Sequence, residues 1–297
     1  MRMRVPGGSG ADGSATGGRR QRVARPVPEA PPAPEPLAVP VLDSHTHLDL
    51  QDGEPGDALA AAAAVGVTRV VQVGIDVPSS RWAADLAVAH PGVDATVALH
   101  PNEAPLLAEA GDLDAALAEI DALAARPEVR GVGETGLDHF RTGAEGWAEQ
   151  ERSFRAHLEI AKRHGKALVI HDRDAHDDVL RVLADADPPD VVVFHCFSGD
   201  AAMARTCAEH GWFLSVAGTV TFSSAGTLRE AVREAPRELL LVETDGPFLT
   251  PMPYRGRPNA PYLVPITVRA LAALRGDDVD ELCAALWANG ERAFGPA

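Results

Sequence analysis

Several classes are excluded by what this chain lacks. It has three cysteines in 297 residues, Cys196, Cys207 and Cys283. An odd number without a CxxC pair makes no disulfide framework and points to a reducing, cytoplasmic setting. No run of about 18 apolar residues occurs, so no segment is expected to span a membrane. No GxGxxG follows the first apolar run, which weighs against a dinucleotide fold. Lysine is scarce: Lys162 and Lys166 stand against 25 arginines. Positive charge is short overall, with a net of −16. Residues 1–40 hold six arginines against Asp12, Glu29 and Glu35, a local +3, so the remaining 257 residues carry −19. A body this acidic is not expected to coat duplex nucleic acid by neutralising phosphates along its length. A polyanion would have to be met at one small site, and most of the acidity simply serves solubility.

Residues 1–40 are rich in Gly, Pro, Ala and Arg, have no hydrophobic period and contain no apolar core of a secretory signal. They read as a disordered tail ahead of a single domain over 41–297. From there short β-branched runs alternate with longer Ala/Leu/Arg/Glu segments. The runs are 39–42, 67–75, 93–99, 129–132, 167–170, 191–194, 212–216 and 239–242. Helices are expected over 57–65, 79–89, 103–125, 146–162, 175–184, 201–209 and 225–233, then near 262–274 and 278–288, with Ser198 and Gly199 capping the one at 201. Continuous rather than alternating apolar runs suit a parallel sheet covered on both faces. Eight of them interleaved with helices suggest a (β/α)8 TIM barrel, an open doubly wound sheet being the rival.

The residues that close these runs carry the chemistry. In "VLDSHTHLDL" two histidines, His45 and His47, lie one residue apart, so on an extended strand they share a face. Taken alone, such a pair reads equally as surface histidines or as metal ligands. Further along, run three ends in His100, run four in Glu134, run five in His171, run six in His195 and run eight in Asp245. Metal-type residues thus close six of eight runs, and in a barrel those ends converge on the rim where active sites sit. Imidazoles and carboxylates without thiolate suit zinc, manganese, iron or magnesium. Seven candidates exceed the set for one catalytic zinc and suit two ions about 3.5–4 Å apart, with Glu134 as the bridge and a bound hydroxide as nucleophile. Cys196, beside His195, reads as core or as a neighbour of the site rather than a ligand.

The ordered segments "DSHTHLD", "ALHPNEA", "GVGETGLDHFR", "LVIHDRDA", "VFHCFSG", "LSVAGTVTF", "LLVETDGPFLTPMPYRGRPNAP" and "ANGERAF" resemble the signatures of TatD-family metal-dependent deoxyribonucleases, from about residue 41 to 294. The resemblance implies a divalent-metal hydrolase of DNA phosphodiesters, often from the 3′ end, acting on DNA ends or single strands. It implies that His45, His47, Glu134 and Asp245 hold one ion and Glu134, His171 and His195 the other. It places His100 by the substrate as the first histidine of a His-Pro-His segment, whose second histidine is Asn102 here. Asn can donate to a phosphate oxygen but cannot carry charge or transfer a proton. Asp245, touching metal and nucleophile, is a candidate proton acceptor as well as a ligand. Arg255 and Arg257 in "PYRGRPN", and Arg141 past "GLDHFR", are candidate phosphate clamps or ordinary surface ion pairs. The alternatives are a barrel amidohydrolase cleaving a small-molecule C–N bond, cleavage of an aminoacyl-tRNA ester, and a non-enzymatic metal scaffold. Many binuclear amidohydrolases bridge their metals with a carboxylated lysine at the fourth strand, where Glu134 stands instead. No obligate protein partner is evident.

Overall fold

The computed structural model of the protein describes residues 29–297. Eight strands form one sheet in the order of the chain: β1 Val41–Thr46, β2 Val67–Val73, β3 Val93–Val97, β4 Val129–Asp138, β5 Ala167–Arg173, β6 Val192–Phe194, β7 Phe213–Val216 and β8 Leu240–Val242. Every neighbouring pair is parallel. The sheet closes just past its last strand, where Thr46 bridges Gly246 and His47 N–H donates to the Gly246 carbonyl at 2.8 Å. This is a (β/α)8 barrel. Its helices are α1 Pro55–Ala63, α2 Val77–Ala89, α3 Glu103–Ala110, α4 Leu113–Ala124, α5 Trp147–His164, α6 His176–Ala186, α7 Ala201–His210, α8 Gly226–Glu234, α9 Val264–Arg275 and α10 Val279–Phe294. Among the described residues no helix is long and apolar enough to cross a membrane.

The continuous apolar runs are explained by burial on both faces. Val41, Val70, Leu168, Ile170, Val192 and Phe194 join the core shared with the helices. Alternate residues Leu42, Val71, Val73, Val169, Val193 and Leu241 form a second, smaller core, the filling of the barrel itself. His157 of α5 locks that helix to the barrel: its Nε2 accepts from Leu99 N–H at 2.9 Å, and its Nδ1 pairs with the Ser153 carbonyl at 2.7 Å.

Three details depart from the sequence reading. The helix expected over 103–125 breaks into α3 and α4 at Gly111, which caps α3 in the left-handed region at φ 80°. Strand β4 runs past residue 132 to Asp138 because Gly133 and Gly136 let β5 approach closely: a Cβ on Gly136 would sit 2.1 Å from the His171 carbonyl oxygen. The N-cap of α7 is Asp200, whose carboxylate accepts from Met203 N–H at 2.9 Å, in place of Ser198 or Gly199. A short carboxylate satisfies an orphan helix-start donor better than a glycine can.

Of the expected tail, residues 1–28 lie outside the described residues. Residues 29–40 carry no helix or strand but are tied to the barrel. Tyr262 OH donates to the Pro31 carbonyl at 2.7 Å, Arg269 to the Glu35 carbonyl at 2.8 Å, and Leu37 N–H to Val65 O at 3.0 Å.

Candidate metal centre

The barrel gathers the seven ligand-type residues at one rim. Glu134 is their hub. Its Oε2 lies 3.0 Å from His45 Nε2 and 3.0 Å from His195 Nε2, and its Oε1 lies 3.1 Å from His100 Nε2 and 3.8 Å from His171 Nδ1. His47 Nε2 is 3.2 Å from His45 Nε2 and 3.6 Å from Asp245 Oδ1. Asp245 Oδ1 is also 3.8 Å from His45 Nε2. The outer contacts aim these rings. His47 Nδ1 lies 3.2 Å from the Val73 carbonyl, and His195 Nδ1 lies 3.2 Å from Glu243 Oε1, so each presents Nε2 to the centre. Such second contacts fix tautomer and orientation in metal-ligating histidines.

Among the described residues three groups could hold an ion: His45, Glu134 and His195; His45, His47 and Asp245; and His100, Asp138 and His171. The first group has a further mark of a cation site. Glu134 Oε2 and His45 Nδ1 are buried without a well-directed hydrogen bond, although Oε2 is crowded by two imidazoles. Buried polar atoms left unpaired are costly, and a cation among these lone pairs removes the deficit at Oε2. The donor set, neutral imidazole and carboxylate, fits a divalent metal.

The buried acids and imidazoles of the cluster shift one another's protonation. Burial opposes the charge of Glu134, yet His195 and His100 hold its carboxyl well below the usual range. Burial likewise opposes a charged His195, but Glu134 and Glu243 raise it well above an ordinary histidine. Asp245 is lowered against its burial by His47, His195 and His45. His45 is pushed down by burial and by His195 beside it, their rings stacked at 3.8 Å.

Asn102 does not stand free at the site. Its Nδ2 donates to Asp138 Oδ2 at 3.1 Å, and its Oδ1 accepts from Thr142 Oγ1 at 2.8 Å. The three arginines lie on the rim but touch no ligand. Arg255 sits over the Phe222 ring at 4.4 Å, Arg257 over Tyr254 at 5.6 Å, and Arg141 contributes only its N–H, to Asp138 Oδ1 at 2.8 Å. Neither lysine reaches the cluster: Lys166 Nζ donates to the Arg126 carbonyl ahead of β4 and Lys162 Nζ to the Ala186 carbonyl.

Three acids escaped the sequence reading. Asp138 lies 3.3 Å from His171 Nε2. Glu243 holds His195 and accepts from Cys196 N–H at 2.8 Å. Asp43 ties β1 to the segment after β8, accepting from Thr244 Oγ1 at 2.6 Å and Thr244 N–H at 2.9 Å. Even spacing was the available signal: Glu134 and Asp138, or Glu243 and Asp245, fall on one face of an extended chain.

Residues 42–295 match the family model described as TatD related DNase. A Mycobacterium tuberculosis protein named uncharacterized metal-dependent hydrolase TatD is 48% identical over 263 residues, covering 86% of this chain and 98% of its own. A Citrobacter rodentium protein named 3′-5′ ssDNA/RNA exonuclease TatD is 35% identical over 246 residues, covering 80% of this chain and 91% of its own. Among solved structures, the TatD homologue YjjV of Escherichia coli K12 aligns at a TM-score of 0.80 and 28% identity, over 86% of this chain and 98% of that one.

Proposed function

Because this chain belongs to the TatD family of metal-dependent hydrolases, we propose that it is a phosphodiesterase acting on DNA, an exonuclease that works from the 3′ end of single strands. The observation that carries the reading is Glu134, whose two oxygens are each faced by imidazoles from different strands. In this reading His45, His47, Glu134 and Asp245 hold one divalent ion, zinc, magnesium or manganese, and Glu134, His171 and His195 a second. When bound, such ions acidify water and offset the charge of a phosphate.

The chain's own groups supply the rest. Asp245, 14% exposed at its side chain, is placed to accept the proton that a water nucleophile must lose. His100, 15% exposed at its side chain, points Nε2 at Glu134 Oε1 at 3.1 Å; in this reading that nitrogen turns to a phosphate oxygen of the substrate once Glu134 is engaged by the ions. Asn102 retains a second amide hydrogen after its bond to Asp138, a donor for the same phosphate. Arg141, Arg255 and Arg257 offer charge to flanking phosphates from the rim. The −19 of the body beyond residue 40 repels the length of a duplex and confines productive contact to a strand end.

The test uses purified protein and a single-stranded oligonucleotide labelled at its 5′ end. Metal-dependent shortening from the 3′ end, lost in EDTA and reduced at least about a hundredfold in Glu134→Gln, is the expected result. Undiminished cleavage by Glu134→Gln, or no metal-dependent loss of any labelled strand, overturns the reading.

A further inference from the structure

The described residues expose three large aromatic side chains, Phe140 at 62%, Trp147 at 39% and Phe248 at 51%. Phe140 and Phe248 follow strand ends on the rim that bears the ligand cluster, whereas Trp147 opens α5 with its ring stacked on His139 at 3.9 Å. Isolated exposed apolar residues are ordinary, but the two phenylalanines flank the cluster. Phe248 stands three residues after Asp245, its ring centroid 6.4 Å from that of His47. Its turn is pinned: its N–H donates to the Asp245 carbonyl at 2.8 Å, and its own carbonyl accepts from the buried Asn259 side chain. Phe140 lies at the other end of the contacts running from His47 through His45 and Glu134 to His171. Its N–H donates to Asp138 Oδ1 at 3.0 Å, and Asp138 faces His171. The Arg173 guanidinium lies 4.1 Å over the Phe140 ring, covering one face and leaving a cation beside an exposed aromatic.

Resting on the phosphodiesterase reading, we propose that Phe248 and the Phe140–Arg173 pair are stacking platforms for unpaired bases of the substrate strand, on either side of the phosphate to be cut. The alternation suits the ligand: bases present π faces, phosphates present negative charge, and the rim offers rings and guanidinium groups in an otherwise acidic body. Stacking of this kind is indifferent to sequence and contributes substantially per base in single-strand binders. It also selects single strands, since a base already stacked in a duplex must first be freed. The rings are held on short turns beside the ligands, so the platforms need no ordering before a strand binds.

The full chain and the variants Phe248→Ala, Phe140→Ala and Phe248→Trp are compared on a normal single strand and on one of equal length whose 3′ nucleotides are abasic. Each loss of a ring should raise KM for the normal strand about tenfold, with most of the effect in KM rather than kcat. The preference for normal over abasic strands should fall by the same factor. A 3′-terminal 2-aminopurine should be quenched on binding to the wild type, less by Phe248→Ala, and again by Phe248→Trp. Normal hydrolysis of DNA with unchanged KM and unchanged preference in both alanine variants overturns the stacking platforms and leaves the phosphodiesterase reading standing. A wild type that neither cleaves DNA nor quenches the probe overturns both.

Discussion

Acidification should destabilise this protein through His157, which lies outside the metal cluster. The imidazole is fully buried, with Nε2 accepting from Leu99 N–H and Nδ1 donating to the Ser153 carbonyl. A proton on Nε2 would face the Leu99 N–H head-on, and burial pushes the pKa down to about 4 from 6.5, the Ser153 contact opposing only in part. In the unfolded chain the same ring takes up its proton near 6.5. Between these values the unfolded state binds more protons, so stability falls as pH drops from 6.5 towards 4 and is unaffected by this group above that window. At about 1.4 kcal/mol per pKa unit the full effect is roughly 3 kcal/mol, and by pH 4.5 about 2.5 kcal/mol has been lost. Carboxylates also titrate on acidification, among them Asp43, raised by burial to about 7, so the contribution of His157 is isolated by difference. Urea unfolding of wild type and His157→Gln, both in EDTA, is measured at pH 7 and pH 4.5. The wild type should be the more stable at pH 7, and its advantage should shrink by about 2.5 kcal/mol at pH 4.5. An advantage constant to within about 0.5 kcal/mol would refute the reasoning.

Two further expectations come from the supports of the site. Glu243→Gln leaves His195 Nδ1 without its carboxylate and should weaken metal binding by about 10- to 100-fold, read by competition with a chromogenic chelator; unaltered affinity would show that Glu243 does not orient the ring. Gly136→Ala places a Cβ 2.1 Å from the His171 carbonyl at a φ of 139°, so it should lower stability by about 3 kcal/mol or more. Gly111→Ala, with open space around its Cβ and φ 80°, should lose only about 1–2 kcal/mol; comparable melting temperatures for the two variants would show that the β4–β5 approach is not as tight as described.

The barrel was legible because its signals are local. An apolar run closed by His, Glu or Asp can be read without knowing its neighbours, and closure of the sheet then brings seven such closing residues together. What escaped depends on partners distant in sequence. The apolar run at 129 stops at Val132 because Gly133 and Gly136 bring no side chain to continue it, yet those glycines are where β5 presses in. Ending it there also hid the even spacing from Glu134 to Asp138, and with it the carboxylate beside His171. The helix over 103–125 kept its apolar period through Gly111, whose role as a cap shows only in its left-handed backbone. Asn102 read as a free donor because its residue type allows it; its bonds to Asp138 and Thr142 come from other turns of the chain. The arginines mark the remaining gap. A guanidinium on a rim loop suggests a phosphate, but a long side chain settles against whatever ring lies nearest. For Arg255 that is Phe222, a residue from the loop after β7, so its direction belongs to the tertiary fold and not to "PYRGRPN".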